Sequence, residues 1–115
     1  MNIDNKFEEL SKYYKIESPE EIKSQIEKNE NIFVFLEEVK PFLEKSFSDG
    51  EFCLDMNFEP EVDDDFIILF IEVSRERFNN GIGDEIRLFN LETKSLRRKF
   101  NIFRELLVMP GIKDV

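Results

Sequence analysis

The fold of this chain is decided by two stretches, EFCLDMNFE at residues 51–59 and FIILFIEV at residues 66–73. The first stretch alternates apolar and polar residues, which predicts a strand with one apolar face. The second stretch is apolar on both faces, as in a strand that lies in the middle of a sheet. We therefore predict an antiparallel β-hairpin at the centre of an α+β fold.

The second predicted strand needs cover on both of its faces. A hairpin alone is marginally stable and leaves two open edges, so a third strand or a partner chain has to complete the sheet. Helices can cover one face, and the last helix or a partner has to cover the other. We expect a homodimer or a hetero-complex that uses this sheet. The predicted interaction residues on the strand are Ile67, Leu69, Ile71 and Val73.

Three helical patterns precede the hairpin. Apolar residues recur at helical spacing within residues 4–16, which predicts a short amphipathic helix. Ser18, Pro19 and Glu21 form a capping box, so we predict a second helix over residues 19–28. A third, more apolar pattern follows and ends at a Ser-Asp-Gly turn before the first strand.

The third pattern contains a proline, and a loop follows the hairpin. Pro41 lacks a backbone N–H, so the helix over residues 32–47 either kinks there or restarts with Pro41 in its first turn. After the second strand, residues 74–83 include Gly81 and Gly83. This composition predicts a loop.

The C-terminal part also shows a helical period. Apolar residues from Ile86 to Leu107 follow one another at intervals of three and four, so we favour one long C-terminal helix. An alternative is a third strand over residues 85–91, followed by a helix over residues 93–108.

Length and charge limit the class of protein. A chain of 115 residues fits one domain, residues 1–115, with one hydrophobic core. Residues 1–83 carry 9 basic and 21 acidic residues, a net charge of −12, whereas residues 84–115 carry 7 and 5, a net charge of +2. We therefore do not expect nucleic-acid binding, and we favour a basic protein partner. The sequence shows neither a signal peptide nor a membrane-spanning segment, so we expect a cytoplasmic protein without a membrane partner.

The residue types exclude several kinds of catalytic site. The chain has no histidine, which rules out Ser/His and Cys/His nucleophile pairs and His-ligated zinc. Cys53 is the only cysteine, and no basic residue adjoins it, so we interpret it as a structural thiol. Gly81-Ile82-Gly83 lacks the pattern of a phosphate-binding loop. We therefore predict no catalytic residues and no cofactor.

An acidic segment joins the two predicted strands. Carboxylates can bind Ca²⁺ or Mg²⁺, but the spacing does not match an EF-hand, which needs a glycine at the sixth position and a glutamate at the twelfth. We interpret the segment as a solvated turn that opposes aggregation, and we predict no metal site. The only candidate ligands are Glu61, Asp63, Asp64 and Asp65.

A basic group near the C-terminus is a second candidate interaction site. It offers either a contact surface for an acidic partner or a solvated helix face whose cations offset the helix dipole, and the second interpretation is favoured. Its residues are Arg97, Arg98, Lys99, Phe100, Phe103 and Arg104.

The order of several segments carries a resemblance. They are IEKNEN at residues 26–31, the helix end at Phe47, FEPE at residues 58–61, the acidic run Asp63-Asp64-Asp65 and the strand from Ile67 to Val73. Over residues 20–90 this order resembles a group of small uncharacterised prokaryotic α+β proteins whose acidic turn reads D-P-E, where this chain has Glu59. The resemblance implies a fold and a prokaryotic cytoplasmic origin, and it implies no activity.

Three functional hypotheses follow from the sequence. The first is a non-enzymatic protein-interaction module, because the chain is acidic, lacks the common catalytic residue types and has an incomplete predicted sheet. The second is an antitoxin or inhibitor-like partner of a basic enzyme, for which acidity provides complementarity. The third is a small enzyme with a site made only of carboxylates.

Overall fold

Four strands form one sheet in the computed structural model, which describes residues 2–57 and 65–113. The spatial order of the strands follows their order in the chain. They are β1 (Lys15–Ile16), β2 (Glu51–Asn57), β3 (Phe66–Val73) and β4 (Leu106–Ile112).

Helices occupy most of the chain before β2 and between β3 and β4. None of those in the described part of the chain is both long and apolar enough to cross a membrane. The helices are α1 (Ile3–Ser11), α2 (Pro19–Lys28), α3 (Asn31–Glu38), α4 (Lys40–Ser46), α5 (Arg75–Asn79), α6 (Gly83–Glu92) and α7 (Lys94–Phe100).

The predicted hairpin is confirmed, but it is only the middle of the sheet. β2 and β3 pair antiparallel, from Glu51 opposite Glu72 to Asn57 opposite Phe66. The last two residues of the predicted first strand, 58 and 59, lie outside the described part. β1 pairs with β2 and β4 pairs with β3, both in parallel. The chain therefore completes its own sheet on both sides of the hairpin.

The predicted long C-terminal helix is wrong, and so is the alternative strand at residues 85–91. Residues 85–91 lie in α6, and α7 ends at Asn101, whose φ of 55° is left-handed. The apolar residues beyond this point keep helical spacing by coincidence, because they do not lie in a helix. Phe103 and Leu107, which extended it, are exposed, whereas Ile102 and Leu106 are buried. Residues 106–112 instead form β4.

The helices before the hairpin agree more closely with the sequence. α2 has the predicted bounds, and Pro41 stands in the first turn of α4, so the helix restarts there. The predicted capping role of Ser18 is wrong. Ser18 adopts a left-handed φ of 51°, makes no side-chain cap bond to α2, and donates its hydroxyl to Asp55 at 3.1 Å. The predicted loop at residues 74–83 contains the short helix α5.

One face of the sheet forms the hydrophobic core with the helices. The four β3 side chains that were predicted to meet a partner are fully buried in this core, so they form no interaction surface. Helices of the same chain supply this apolar cover, which was expected from either the last helix or a partner. The residues concerned are Ile67, Leu69, Ile71 and Val73.

A matched pair of truncations on β3 tests this assignment of faces. Leu69→Ala should lower the free energy of unfolding by about 2–5 kcal/mol, because it leaves a cavity in the core. Ile68→Ala removes a side chain from the opposite, partly exposed face and should lower it by less than about 1 kcal/mol. Urea denaturation followed by circular dichroism measures both changes. Equal losses for the two variants would contradict the assignment.

Candidate functional site

The second face of the sheet is apolar but is not part of the core. Ile68 on β3 lies beside Leu107 on β4, and Phe70 lies beside Met109. Leu107 is 41% exposed and Met109 is 43% exposed. On β3, the side chains of Phe66, Ile68 and Phe70 are partly buried. None of these residues belongs to the core that the helices form within the described chain. We name this surface the open face; it consists of Phe66, Ile68, Phe70, Leu107 and Met109.

Phe103 extends the open face at the edge of the sheet. It is 45% exposed and lines a shallow hollow together with Leu107, Met109, Asn90 and Val108. Phe103 was predicted as an interaction residue of a helix, and the structure places it in the turn that leads into β4. Arg97, another predicted interaction residue, also lines this hollow.

Carboxylates border the open face on the β2 side. Glu51 and Glu72 stand directly opposite each other on β2 and β3. Like charges in this position destabilise a strand pair. Lys15 lies 4.0 Å from Glu72, and Asp55 accepts hydrogen bonds from Ser18 and from the backbone N–H of Met56. Thus the border carries more negative than positive charge.

Cys53 lies on the same side of the sheet as the open face, opposite Phe70. Cys53 is only 5% exposed. Burial, and next the charge of Glu72, raise the pKa of its thiol to about 11. The thiol therefore stays protonated at neutral pH and is poorly suited to act as a nucleophile.

Arg97, from the predicted basic group, has a structural role that the sequence did not indicate. Its guanidinium donates hydrogen bonds to the backbone oxygens of Ile102, Phe103 and Leu106 at 3.2, 3.3 and 2.9 Å. It also lies 5.4 Å from the centre of the Phe35 ring. Arg97 therefore fixes the turn between α7 and β4 against the core, which no local sequence pattern would reveal.

The rest of the basic group does not form a single surface. Lys99 lies 3.6 Å from Glu38, and Phe100 packs against the core. Arg98 and Arg104 are exposed. Because Arg97 points inward and Lys99 has an acidic neighbour, the group offers little concentrated positive charge.

The acidic turn lies mostly outside the described part of the chain. Glu61, Asp63 and Asp64 belong to residues 58–64, which are not described, and Asp65 is exposed. Among the described residues, no group of three or more Cys, Asp or Glu side chains is placed to hold a metal ion. The predicted role of this turn in solubility stays a prediction.

A polar hollow near α5 has a structural explanation. It is lined by Ser74, Glu76, Arg77 and Glu85 among others. Arg77 forms ion pairs with Asp49 at 2.9 Å and with Glu85. These pairs tie α5 and α6 to the turn before β2, so the hollow is held together by contacts within the chain.

Removing Arg97 should destabilise the protein selectively. Arg97→Ala should lower the free energy of unfolding by about 2–3 kcal/mol, because hydrogen bonds from a charged donor are stronger than neutral ones and three backbone oxygens lose a partner. Arg98→Ala, at the exposed neighbouring position, should change it by less than about 0.5 kcal/mol. Chemical denaturation of both variants measures the difference. Similar values for the two would contradict the role of Arg97.

Alkylation should report the raised pKa of Cys53. Because the pKa is about 11, the rate of reaction with iodoacetamide should keep rising with pH from 8 to 10, about tenfold per unit. Mass spectrometry at timed intervals measures the rate, and the protein unfolded in urea serves as the reactive control. A rate that levels off below pH 9 would contradict the raised pKa.

The chain was compared with protein-family models, with curated proteins and with solved structures. None of the three comparisons found a match. The resemblance to small prokaryotic α+β proteins therefore stays a prediction, and the case for a function rests on the open face and its acidic border.

Proposed function

We propose that this protein is a non-enzymatic protein-interaction module that binds its partner through the open face. The observation that carries the proposal is an apolar strip on β3 and β4 that is not part of the core formed by the described residues. Contiguous apolar surface of this kind marks interaction sites in soluble proteins. Burial of that surface, at roughly 25 cal/mol per Å², is the source of binding free energy.

The reason for expecting a partner differs from the one that the sequence suggested. The sheet needs no further strand, because β1 and β4 complete it on both sides. Within residues 2–57 and 65–113, the face of β3 that the helices leave outside the core carries Phe66, Ile68 and Phe70, whereas the face with Ile67 and Leu69 is buried. The partner therefore covers a face and does not complete the backbone pairing.

The arrangement supports binding better than carboxylate-only catalysis. Asp55 accepts two hydrogen bonds, and Glu72 has Lys15 as a neighbour. A general acid or base needs a proton donor or acceptor aimed at the substrate. These two carboxylates already engage groups of the same chain, which leaves the apolar strip as the main feature of the face.

A second candidate function is an antitoxin or inhibitor-like role toward a basic enzyme. The opposed carboxylates of Glu51 and Glu72 favour this candidate, and so does the net charge of −10. Electrostatic complementarity speeds association and selects partners of opposite charge. Self-association remains the alternative within the same proposal. The expected cytoplasmic location and prokaryotic origin stay predictions.

A charge placed on the open face should abolish partner binding. Ile68→Asp puts a carboxylate in the middle of the strip and should reduce partner recovery about tenfold or more, equivalent to ~1.4 kcal/mol. The matched control is Val34→Asp, on α3, where Val34 is 38% exposed on the helical side. Tagged proteins are used to recover partners from the native host, and quantitative mass spectrometry compares them.

Thermal unfolding of each variant verifies that it folds, and light scattering with size-exclusion chromatography tests for a dimer. Equal recovery of the same proteins by both variants and the wild type would contradict binding through the open face. A wild-type dimer that Ile68→Asp dissociates would identify a second copy as the partner.

A further inference from the structure

A partner can bind the sheet in two ways, by pairing a strand with an edge or by packing side chains on the open face. A partner can add a strand to an exposed edge, where main-chain hydrogen bonds provide affinity. β1, at one edge, has only two residues. Very short edge strands are a common protection against strand addition. β1 leaves only the two ends of β2 uncovered, so β4 offers a foreign strand the longest edge in the described part of the chain.

The β4 edge is blocked at two of its outward-facing positions, Leu106 and Pro110. Ile67 donates its N–H to the oxygen of Glu105, and Lys113 donates its N–H to the oxygen of Val73. Odd-numbered residues of β4 therefore direct their backbone groups toward β3, and even-numbered residues direct theirs outward. The outward oxygen of Leu106 already accepts from Arg97. Pro110 has no N–H, and its ring occupies the place where a neighbouring strand would approach.

Val108 lies between these two blocked positions. It is the only residue of β4 before Pro110 whose outward N–H and C=O both lack a partner in the described structure. One residue cannot hold an added strand, because a ladder needs repeated pairs along the strand. The partner therefore approaches the open face and not the edge.

The dimensions of the open face match a single helix. The strip covers two adjacent strands, about 4.8 Å apart, and extends about 13 Å from Phe66 to Phe70. A helix with its side chains is about 10 Å wide and rises ~1.5 Å per residue, so about nine residues cover the strip. A second sheet would be wider. It would bring Asp55 and Lys15 into a dry contact, where charged groups are costly to bury.

The charge around the strip favours basic residues on both sides of a helix that binds there. Glu51 and Glu72 stand opposite each other across the strands, and the one described cation near them is Lys15, 4.0 Å from Glu72. Like charges in opposed positions are unfavourable, so a further cation placed near both is favoured. A second copy of the chain carries the same border and a net charge of −10. Two such surfaces repel when they are brought together.

Resting on the proposed function, we propose that the open face binds an amphipathic helix of a partner protein. The helix lays its apolar side along Ile68, Phe70, Leu107 and Met109 and directs lysines or arginines toward Glu51 and Glu72. This is the helix-in-groove mode of recognition, in which anchors recur at three- and four-residue spacing. The small contact area makes the binding weak. The attraction between the basic flanks and the carboxylates makes it salt-dependent.

Three synthetic peptides of equal length test the shape and the charge of the partner. The first places leucines at helical spacing with lysines on both flanks. The second has the same composition with leucine and lysine alternating, as in a strand. The third is the first with glutamates in place of the lysines. Isothermal titration calorimetry measures their binding to the wild type, to Ile68→Asp and to the double variant Glu51→Gln/Glu72→Gln.

The first peptide should bind the wild type at least about tenfold more tightly than either of the others, a difference of ~1.4 kcal/mol. Ile68→Asp should weaken it about tenfold or more, and Val34→Asp should leave it unchanged. The double variant should weaken it severalfold and reduce its salt dependence, because two carboxylates near the lysines are lost.

Other results overturn the inference while leaving the proposed function intact. Tighter binding of the alternating peptide would indicate strand addition, and equal binding of the glutamate peptide would exclude the acidic border as a determinant. A wild-type dimer lost in Ile68→Asp would make a second copy the occupant. If no peptide binds and the recovered partners are the same for Ile68→Asp and the wild type, both the inference and the proposed function fail.

Discussion

Backbone pairing on both sides of β3 is the constraint on which the rest of the structure depends. β3 pairs antiparallel with β2 over residues 66–72 and parallel with β4 over residues 67–73. A parallel neighbour requires the chain to cross back over the sheet, and α5, α6 and α7 make that crossing. The helices then lie on the face that carries Leu69 and Ile71 and bury it. No described helix packs on the opposite side of the same strand.

The crossing also explains why the C-terminal segment is not one long helix. β3 has eight residues and is about 26 Å long, whereas a straight helix from Ile86 to Leu107 would extend about 33 Å. The chain has to return to the start of β3 within the length of the strand. It does so by dividing the helical segment at Thr93 and by ending α7 at Asn101. Arg97 then holds the following turn, so the same residue sets the start of β4 and blocks part of its outer edge.

The sequence predicted the centre of the fold better than its borders. The hairpin and the bounds of α2 follow from local patterns of alternation and proline chemistry, which act over a few residues. At Pro41 the same chemistry left a kink and a restart open, and the structure shows the restart. The predicted interaction residues of β3 lie on the face that the helices bury. Both faces of this strand are apolar, so the alternation separates the two faces but does not say which one is buried. Phe103 was predicted as an interaction residue because it was expected on a helix, but it lies in the turn between α7 and β4. Leu107 and Met109 were not among the predicted interaction residues, because the sequence favoured a helix where the structure has β4.

By itself, the sequence determined that the chain forms an α+β domain around an apolar central strand, and its lack of histidine excluded the common nucleophile pairs. Only the tertiary structure decided which face of β3 is buried, how the sheet is completed and what Arg97 does. The physical reason is that these properties depend on contacts between residues far apart in the chain. Helix and strand periods are local, whereas the choice between two apolar faces depends on which one the helices can cover when β1 and β4 join the sheet.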